Sequence, residues 1–351
     1  MRVISFAEAL REGTDQLLTA DSSVYLIGEG VPDPKCIFGT TAKLKEKHPN
    51  RVFDMPIAEN GLTGVAIGSS LNGMKPIMVH QRMDFTLYAM DQIINNAAKW
   101  YSMFGGQKSV PMVVRMIIGR GWGQGNQHSQ NLEALYAHIP GLKVVMPGSA
   151  YAAKGMLIAA VKDPNPVIFI EHRWLHNTTS DVPEEMYEVP IGKARVAREG
   201  KDLTIVTWGY MTLEVMKACE YLEKQGLSPE VLDMQTLRPM DLASVKKSVK
   251  KTGRLLVATD AWRFGSLASE VITTVVEDFE IDLKSKPQRL TYPDFPSPST
   301  HGLTKFYYNG PTEVVEAVGR VMGKDYDTTE VLAYQTKRTH DVPDQNFKGP
   351  F

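Results

Sequence analysis

The sequence predicts an α/β protein built on two doubly wound, mostly parallel sheets. Three observations carry that reading. Short Val/Ile-rich runs recur along the chain, as in "VPMVVRMIIG" (110–119) and "PVIFIEH" (166–172). Between them lie segments whose apolar residues recur at helical spacing, and strands that are apolar without alternation belong to parallel sheets covered on both faces. The alternation lapses over residues 173–200, which are polar and proline-containing, and then resumes.

The elements follow in order. A helical stretch from Phe6 to Leu18 precedes the glycine-closed run "VYLIGEG" (24–30). "RVFDM" (51–55) leads into a helix of small residues starting near Glu59, and "KPIMVH" (75–80) reads as a buried strand. Met90, Ile93, Ile94, Ala97 and Trp100 then share the face of one helix. "LKVVMPG" (142–148), the helix "SAYAAKGMLIAAVKD" and "PVIFIEH" complete a first domain expected over residues 1–185, with a linker over 186–200. The second domain, expected over 201–323, alternates "DLTIVTWG", "PEVLDM", "RLLVATD" and "PQRLTYP" with helices, the last at 311–322. A polar tail, 324–351, is expected either to be disordered or to pack against a partner.

Composition narrows the class. A chain of 351 residues with 43% apolar and 23% charged residues can bury a substantial core, and its length suits two domains. A formal net charge of −1 gives no argument for nucleic acid or an anionic membrane as partner. Cys36 and Cys219 stand far apart without metal-ligand spacing, which fits a reducing compartment. No apolar run approaches the roughly 20 residues of a membrane span, and "MRVISFAEALREGTDQLL" lacks a signal peptide's apolar centre. A cytoplasmic location is expected.

Three stretches carry candidate chemistry. In "DMPIAENGLTG" (54–64), Glu59 stands at a helix start, where a negative charge merely complements the macrodipole in most proteins. Gly61, Gly64 and Gly68, however, leave a bare stripe on that helix, and each glycine costs about 1 kcal/mol relative to alanine. "HQRMDF" (80–85) closes a strand, where open parallel sheets bind ligands. His80, Gln81 and Arg82 form a polar group there, with Arg82 able to grip a carboxylate or phosphate or to form an intersubunit ion pair. Phe85 fits a core position or a stacking surface. The loop "GRGWGQGNQHSQN" (119–131) has the wrong glycine spacing for a dinucleotide fingerprint. It reads better as a glycine-rich loop presenting Trp122, His128 and Gln130 to a site.

Taken in order, these segments resemble the β subunit of the thiamine-diphosphate-dependent 2-oxoacid dehydrogenases, the E1β family. The similarity runs through "PIAENGLTGVAIGSSLNGMKPI", "DFTLYAMDQIINNAAKWYSMFGGQ", "HSQNLEALYAHIPGLKVVMP" and "DPNPVIFIE" to "VLDMQTLRPMDLASVKKSVKKTGRLLVATD". It implies a transketolase pyrimidine-binding domain followed by a transketolase C-terminal domain. It further implies that Glu59 hydrogen-bonds N1′ of the cofactor's aminopyrimidine, so that the 4′-nitrogen takes the thiazolium C2 proton. Phe85 matches the aromatic residue packed on the pyrimidine, Gln81 a pocket-lining position, and His128 the loop histidine that stabilises intermediates or assists acyl transfer to a lipoyl group. His80, Arg82 and Gln130 fall at the substrate pocket. Met112, Ala160, Val161, Asp163 and Asn165 match a potassium loop that acts largely through carbonyls. Asp260 stands where the family commonly has glutamate.

The family holds the diphosphate and Mg²⁺ through a GDG motif in a partner chain, and no GDG occurs here. The resemblance therefore implies an α2β2 assembly in which an α subunit completes each site, with a 2-oxo acid as substrate and a lipoyl-bearing acyltransferase core as a further partner. Two other readings stand beside it. One is the C-terminal subunit of a split transketolase-like enzyme that passes a two-carbon unit to an aldehyde or sugar, which the polar "HQR" group would suit. The other is a non-catalytic scaffold, against which the joint presence of Glu59, Phe85 and His128 counts.

Overall fold

The computed structural model describes residues 2–121, 123–338 and 342. In chain order the strands are β1 (Arg2–Ser5), β2 (Val24–Gly28), β3 (Val52–Asp54), β4 (Lys75–His80), β5 (Val113–Ile118), β6 (Lys143–Val145) and β7 (Val167–His172). They continue with β8 (Thr179–Val182), β9 (Arg195–Arg198), β10 (Leu203–Thr207), β11 (Pro229–Asp233), β12 (Thr236–Arg238), β13 (Leu255–Trp262) and β14 (Gln288–Tyr292). A seven-stranded sheet has the order β12-β6-β7-β5-β4-β2-β3, and a five-stranded sheet the order β14-β13-β10-β11-β9. Each is parallel except at one edge, where β12 and β9 run antiparallel to their neighbours. β1 and β8 form a separate antiparallel ribbon.

The buried strands explain the continuous apolar runs. Met78, Val114, Met116, Ile168 and Ile170 face a core shared with the helix Glu59–Leu71. Their neighbours Ile77, Val79, Val113, Val167 and Phe169 point the other way, toward the helices Phe6–Ala20 and Ala150–Lys162. Burial of each such side chain is worth about 1.5–3 kcal/mol, so covering both faces holds the sheet. The first core does not stop at the domain boundary, for it takes in Val206, Trp208, Leu232 and Val257 of the second sheet. Among the described residues no helix is long and apolar enough to cross a membrane.

Four features depart from the sequence reading. The single helix expected after β4 is broken into a turn at Met83–Thr86, a 3₁₀ turn at Leu87–Ala89, a π turn at Gln92–Ala97 and a last turn at Trp100–Met103. Within it the Asn95 and Asn96 amides donate to the Asp91 and Gln92 side chains four residues back. β9 lies inside the segment read as linker and pairs with β11. β12, from the second half of the chain, completes the edge of the first sheet beside β6. The described part of the tail packs on its own chain through the helix Thr329–Thr336. Val331 is buried there, the Gln335 amide meets Glu313, and Arg338 pairs with Glu214. The rest of the tail lies outside the described residues, as does Trp122.

Candidate functional site

Three carboxylates gather where β2 and β3 end. Glu29 follows β2, Asp54 closes β3, and Glu59 opens the next helix with 7% of its surface exposed. Asp54 is spent locally, accepting from the Gly30 and Met55 amides. Glu59 has no hydrogen-bond or ion-pair partner among the described residues. Burial first, and then the charges of Glu59 and Asp54, push the Glu29 carboxyl up to about 7. Glu29 can therefore hold or release a proton near neutrality beside a free carboxylate. Sequence reasoning missed Glu29; the signal was the acid in "GEG" closing a buried parallel strand.

The glycine stripe behind Glu59 is partly open. A Cβ on Gly61 or Gly68 would meet nothing within 4 Å, whereas one on Gly64 would come within 3.3 Å of Gln92. Val65 between them is 60% exposed, Ile57 85% and Tyr88 71%, so this face is apolar and uncovered.

Beside Glu29, the Gln81 amide donates to the Glu29 carbonyl at 3.1 Å. Gln81 also lines a cavity of about 370 Å³ with Gly30, Asp33, Lys35, Ile37 and Phe38. Cys36, Ile37 and Phe38 hold consecutive left-handed φ values of 46°, 47° and 58°, so the wall of this cavity is strained backbone.

His80 and Arg82 do not line that cavity. His80 is 1% exposed, and burial pulls its imidazole down to about 4, so it is neutral at neutral pH. Arg82 is 2% exposed and remains charged even though burial lowers it to about 10. It donates to the Gly119 carbonyl at 3.2 Å and to Gln124 Oε1 at 2.6 Å, anchoring the root of the glycine-rich loop. The far end of that loop returns to the turn after β4. His128 meets the half-buried Phe85 ring edge-on at 5.1 Å, and the backbone and side-chain amides of Gln130 donate to Asp84 Oδ1 at 3.2 and 2.9 Å. Burial raises the Asp84 carboxyl against those bonds. Phe85, His128 and Gln130 are thus brought together.

The second sheet closes the loop from the other side. Arg120 lies between the rings of Trp174 and Tyr308, 4.1 and 3.8 Å from their centroids. Its Nη1 donates to Tyr292 Oη at 3.1 Å, and Tyr292 donates to Asp260 Oδ1 at 2.8 Å. Asn131 donates to the Asp260 carbonyl at 3.1 Å, and Ser297 Oγ to the Ser129 carbonyl at 3.3 Å. Glu133, fully buried, accepts from Trp208 Nε1, Asn131 Nδ2 and Thr259 Oγ1 at 2.9, 3.0 and 3.1 Å. Burial pushes Glu133 up to about 7 and Asp260 up to about 6.

Of the residues matched to a potassium loop, Ala160 and Val161 end the helix Ala150–Lys162, Asp163 caps it, and Asn165 leads into β7 beside Met112. The Met112 carbonyl accepts from the Val167 amide and that of Ala160 from the Asp163 amide. Lys143 already pairs with the Asp163 carboxylate, so an ion here would rest on carbonyls alone. Among the described residues no group of three His, Cys, Asp or Glu side chains is arranged to hold a metal.

Glu59 thus stands without a hydrogen-bond partner among the described residues at one helix start, and Phe85 presents a half-buried ring on the turn after β4. Comparison with known proteins bears on the fold and the family. Residues 2–178 match the transketolase pyrimidine-binding domain, and residues 192–314 the transketolase C-terminal domain. The chain is 39% identical to the pyruvate dehydrogenase E1 component subunit beta of Acholeplasma laidlawii, over 92% of this chain and 99% of that one. It is 38% identical to the acetoin:2,6-dichlorophenolindophenol oxidoreductase subunit beta of Cupriavidus necator, over 92% and 98%. A solved split-gene transketolase, an inactive β4 tetramer, superposes with a TM-score of 0.76 at 24% identity, covering 92% of this chain and all of that one, and so shares the fold.

Proposed function

The chain belongs to the E1β family of thiamine-diphosphate-dependent 2-oxoacid dehydrogenases, and from that premise we propose that it decarboxylates a 2-oxo acid together with an α subunit in an α2β2 assembly. When bound, thiamine diphosphate supplies a thiazolium that accepts the electron pair released on decarboxylation. Glu59 would hold and orient the pyrimidine end as the hydrogen-bond partner of its ring nitrogen. Phe85 packs on the ring, Gln81 lines the pocket, and Glu29 takes up or gives back a proton beside Glu59. His128, carried on the glycine-rich loop and supported by Gln130, assists transfer of the acyl group to a lipoyl acceptor.

The observation that carries this reading is Glu59: a buried carboxylate, unpartnered among the described residues, next to an uncovered apolar face. The chain has no GDG motif, so we assign the diphosphate and Mg²⁺ to the α subunit, which would seat on the glycine stripe. A potassium ion at the 160–165 turn is proposed on resemblance alone. In place of a substrate-pocket role, His80 and Arg82 are assigned to the support of the site, which weakens the alternative of a sugar-transferring enzyme that relied on them.

Calorimetry with thiamine diphosphate and Mg²⁺ tests the proposal. Binding is expected for the mixture of this chain with its α subunit, and it should be lost in Glu59→Ala. Tight binding to the isolated chain would refute the shared site.

A further inference from the structure

The loop that carries His128 is held at both ends by one residue of the second domain. Asp260, at the carboxyl end of β13, receives Asn131 through its carbonyl and Tyr292 through its carboxylate. Tyr292 in turn receives Arg120, so the two flanks of the segment 119–131 converge on a single aspartate. Among the described residues Arg120 makes no direct ion pair with a carboxylate. Its charge is met by two ring faces and a phenol, an arrangement that fixes the plane of the guanidinium as well as its position. The Arg120 carbonyl is also pinned, accepting from Trp174 Nε1 at 2.7 Å. Between these anchors the loop has glycines at 121, 123 and 125, and those at 123 and 125 pack against Ser299, where added Cβ atoms would come within 3.2 and 3.0 Å. A glycine-rich segment has no stiffness of its own, so its shape must come from its ends and its neighbours.

We propose that Arg120, Tyr292 and Asp260 are positioning residues that act through His128, so that the second domain sets the geometry of acyl transfer while leaving cofactor activation at Glu59 alone. The inference rests on the E1β reading for the role of His128; the staple itself is a matter of geometry. Glu59 has its own support, on a helix packed against β4, and shares none of these bonds.

Tyr292→Phe is the informative variant, since it keeps the ring among Tyr307, Tyr308 and Arg120 and removes only the hydroxyl that links Arg120 to Asp260. Hydrogen exchange of the segment 119–131 in the full-length chain should speed up by about tenfold, the effect of losing one buried hydrogen bond. Unchanged exchange would overturn the staple whatever the enzyme does. In the reconstituted α2β2 enzyme, transfer to a lipoyl acceptor should fall by about tenfold at unaltered thiamine diphosphate affinity and unaltered KM for the 2-oxo acid. The decisive comparison adds His128→Ala. If Tyr292 acts through His128, the double variant should be no slower than His128→Ala alone. Independent, multiplicative losses would overturn the inference with the function intact. A wild-type assembly that turns over no 2-oxo acid would break the functional reading instead, and the exchange experiment would still decide on the staple.

Discussion

The carboxyl edge of the first sheet and the seam between the two sheets are both rich in buried polar groups, yet they are finished differently. At the seam the chain supplies many partners itself: Glu133 receives three donors and Arg120 is enclosed by two rings and a phenol, while Arg120 Nε and Asp260 Oδ2 stay unmatched among the described residues. At the edge, among the described residues, Glu59 has no hydrogen-bond partner, Glu29 Oε1 is buried without one, and an apolar helix face is exposed. What sets the edge apart is the exposed apolar face beside its carboxylates, which marks where another molecule would dock. The open region is therefore where activity should be lost without loss of folding, and the closed region is where both should move together.

The largest expected effect is at the open edge. Glu59→Ala should lower turnover of the assembled enzyme by about 10²–10⁴-fold, the range of a lost acid/base group, without lowering the melting temperature of the isolated chain. A matching fall in stability would place Glu59 with the structural acids. Next comes Gly61→Leu. Among the described residues nothing lies within 4 Å of a Cβ placed there, and relief from glycine should favour the helix by up to about 1 kcal/mol. Association with the α subunit, followed by sedimentation, should nevertheless weaken by at least about tenfold, since a new side chain on a docking face costs roughly 1–3 kcal/mol.

The seam should answer in the opposite sense. Trp208→Phe removes one donor from the buried Glu133 and should cost about 1–3 kcal/mol in denaturant unfolding, with thiamine diphosphate affinity kept. A pH dependence of similar size should accompany it. Glu133 titrates at about 7 in the folded chain against an ordinary 4.5, so the folded state keeps a proton that the unfolded state releases in between. The stability from this group is complete below pH 4.5, declines as pH rises, and is gone above about 7. Melting temperatures measured from pH 5 to 8 should fall accordingly, and Glu133→Gln should flatten the decline.

Much of this contrast was legible in the sequence, though unevenly. The interior strands announced themselves because burial on both faces demands unbroken runs such as "VVRMII". β9 and β12 did not, because a four-residue "RVAR" and a three-residue "TLR" at sheet edges have no room for periodicity. Glu59 and the HSQ loop could be found from residue type and local spacing. Arg120 was passed over because its partner Tyr292 lies 172 positions away, and nothing local marks a guanidinium that will be caged. His80 and Arg82 looked like substrate ligands because polar residues at a strand end usually face solvent. Here Arg82 turns inward to hold the glycine loop, a use that only the fold reveals.

β12 has a consequence for how the molecule comes into being. Thr236 and Arg238 pair with Val145 and Val144, so the first sheet borrows its last strand from beyond the start of the second. During synthesis the first sheet stays incomplete until the chain has been made past Arg238, by which point β10 and β11 already exist. A fragment cut between the two sheets would bare the backbone of β6, an invitation to pair with a second chain. The two halves of this protein therefore mature as one unit, and the site they share is assembled late.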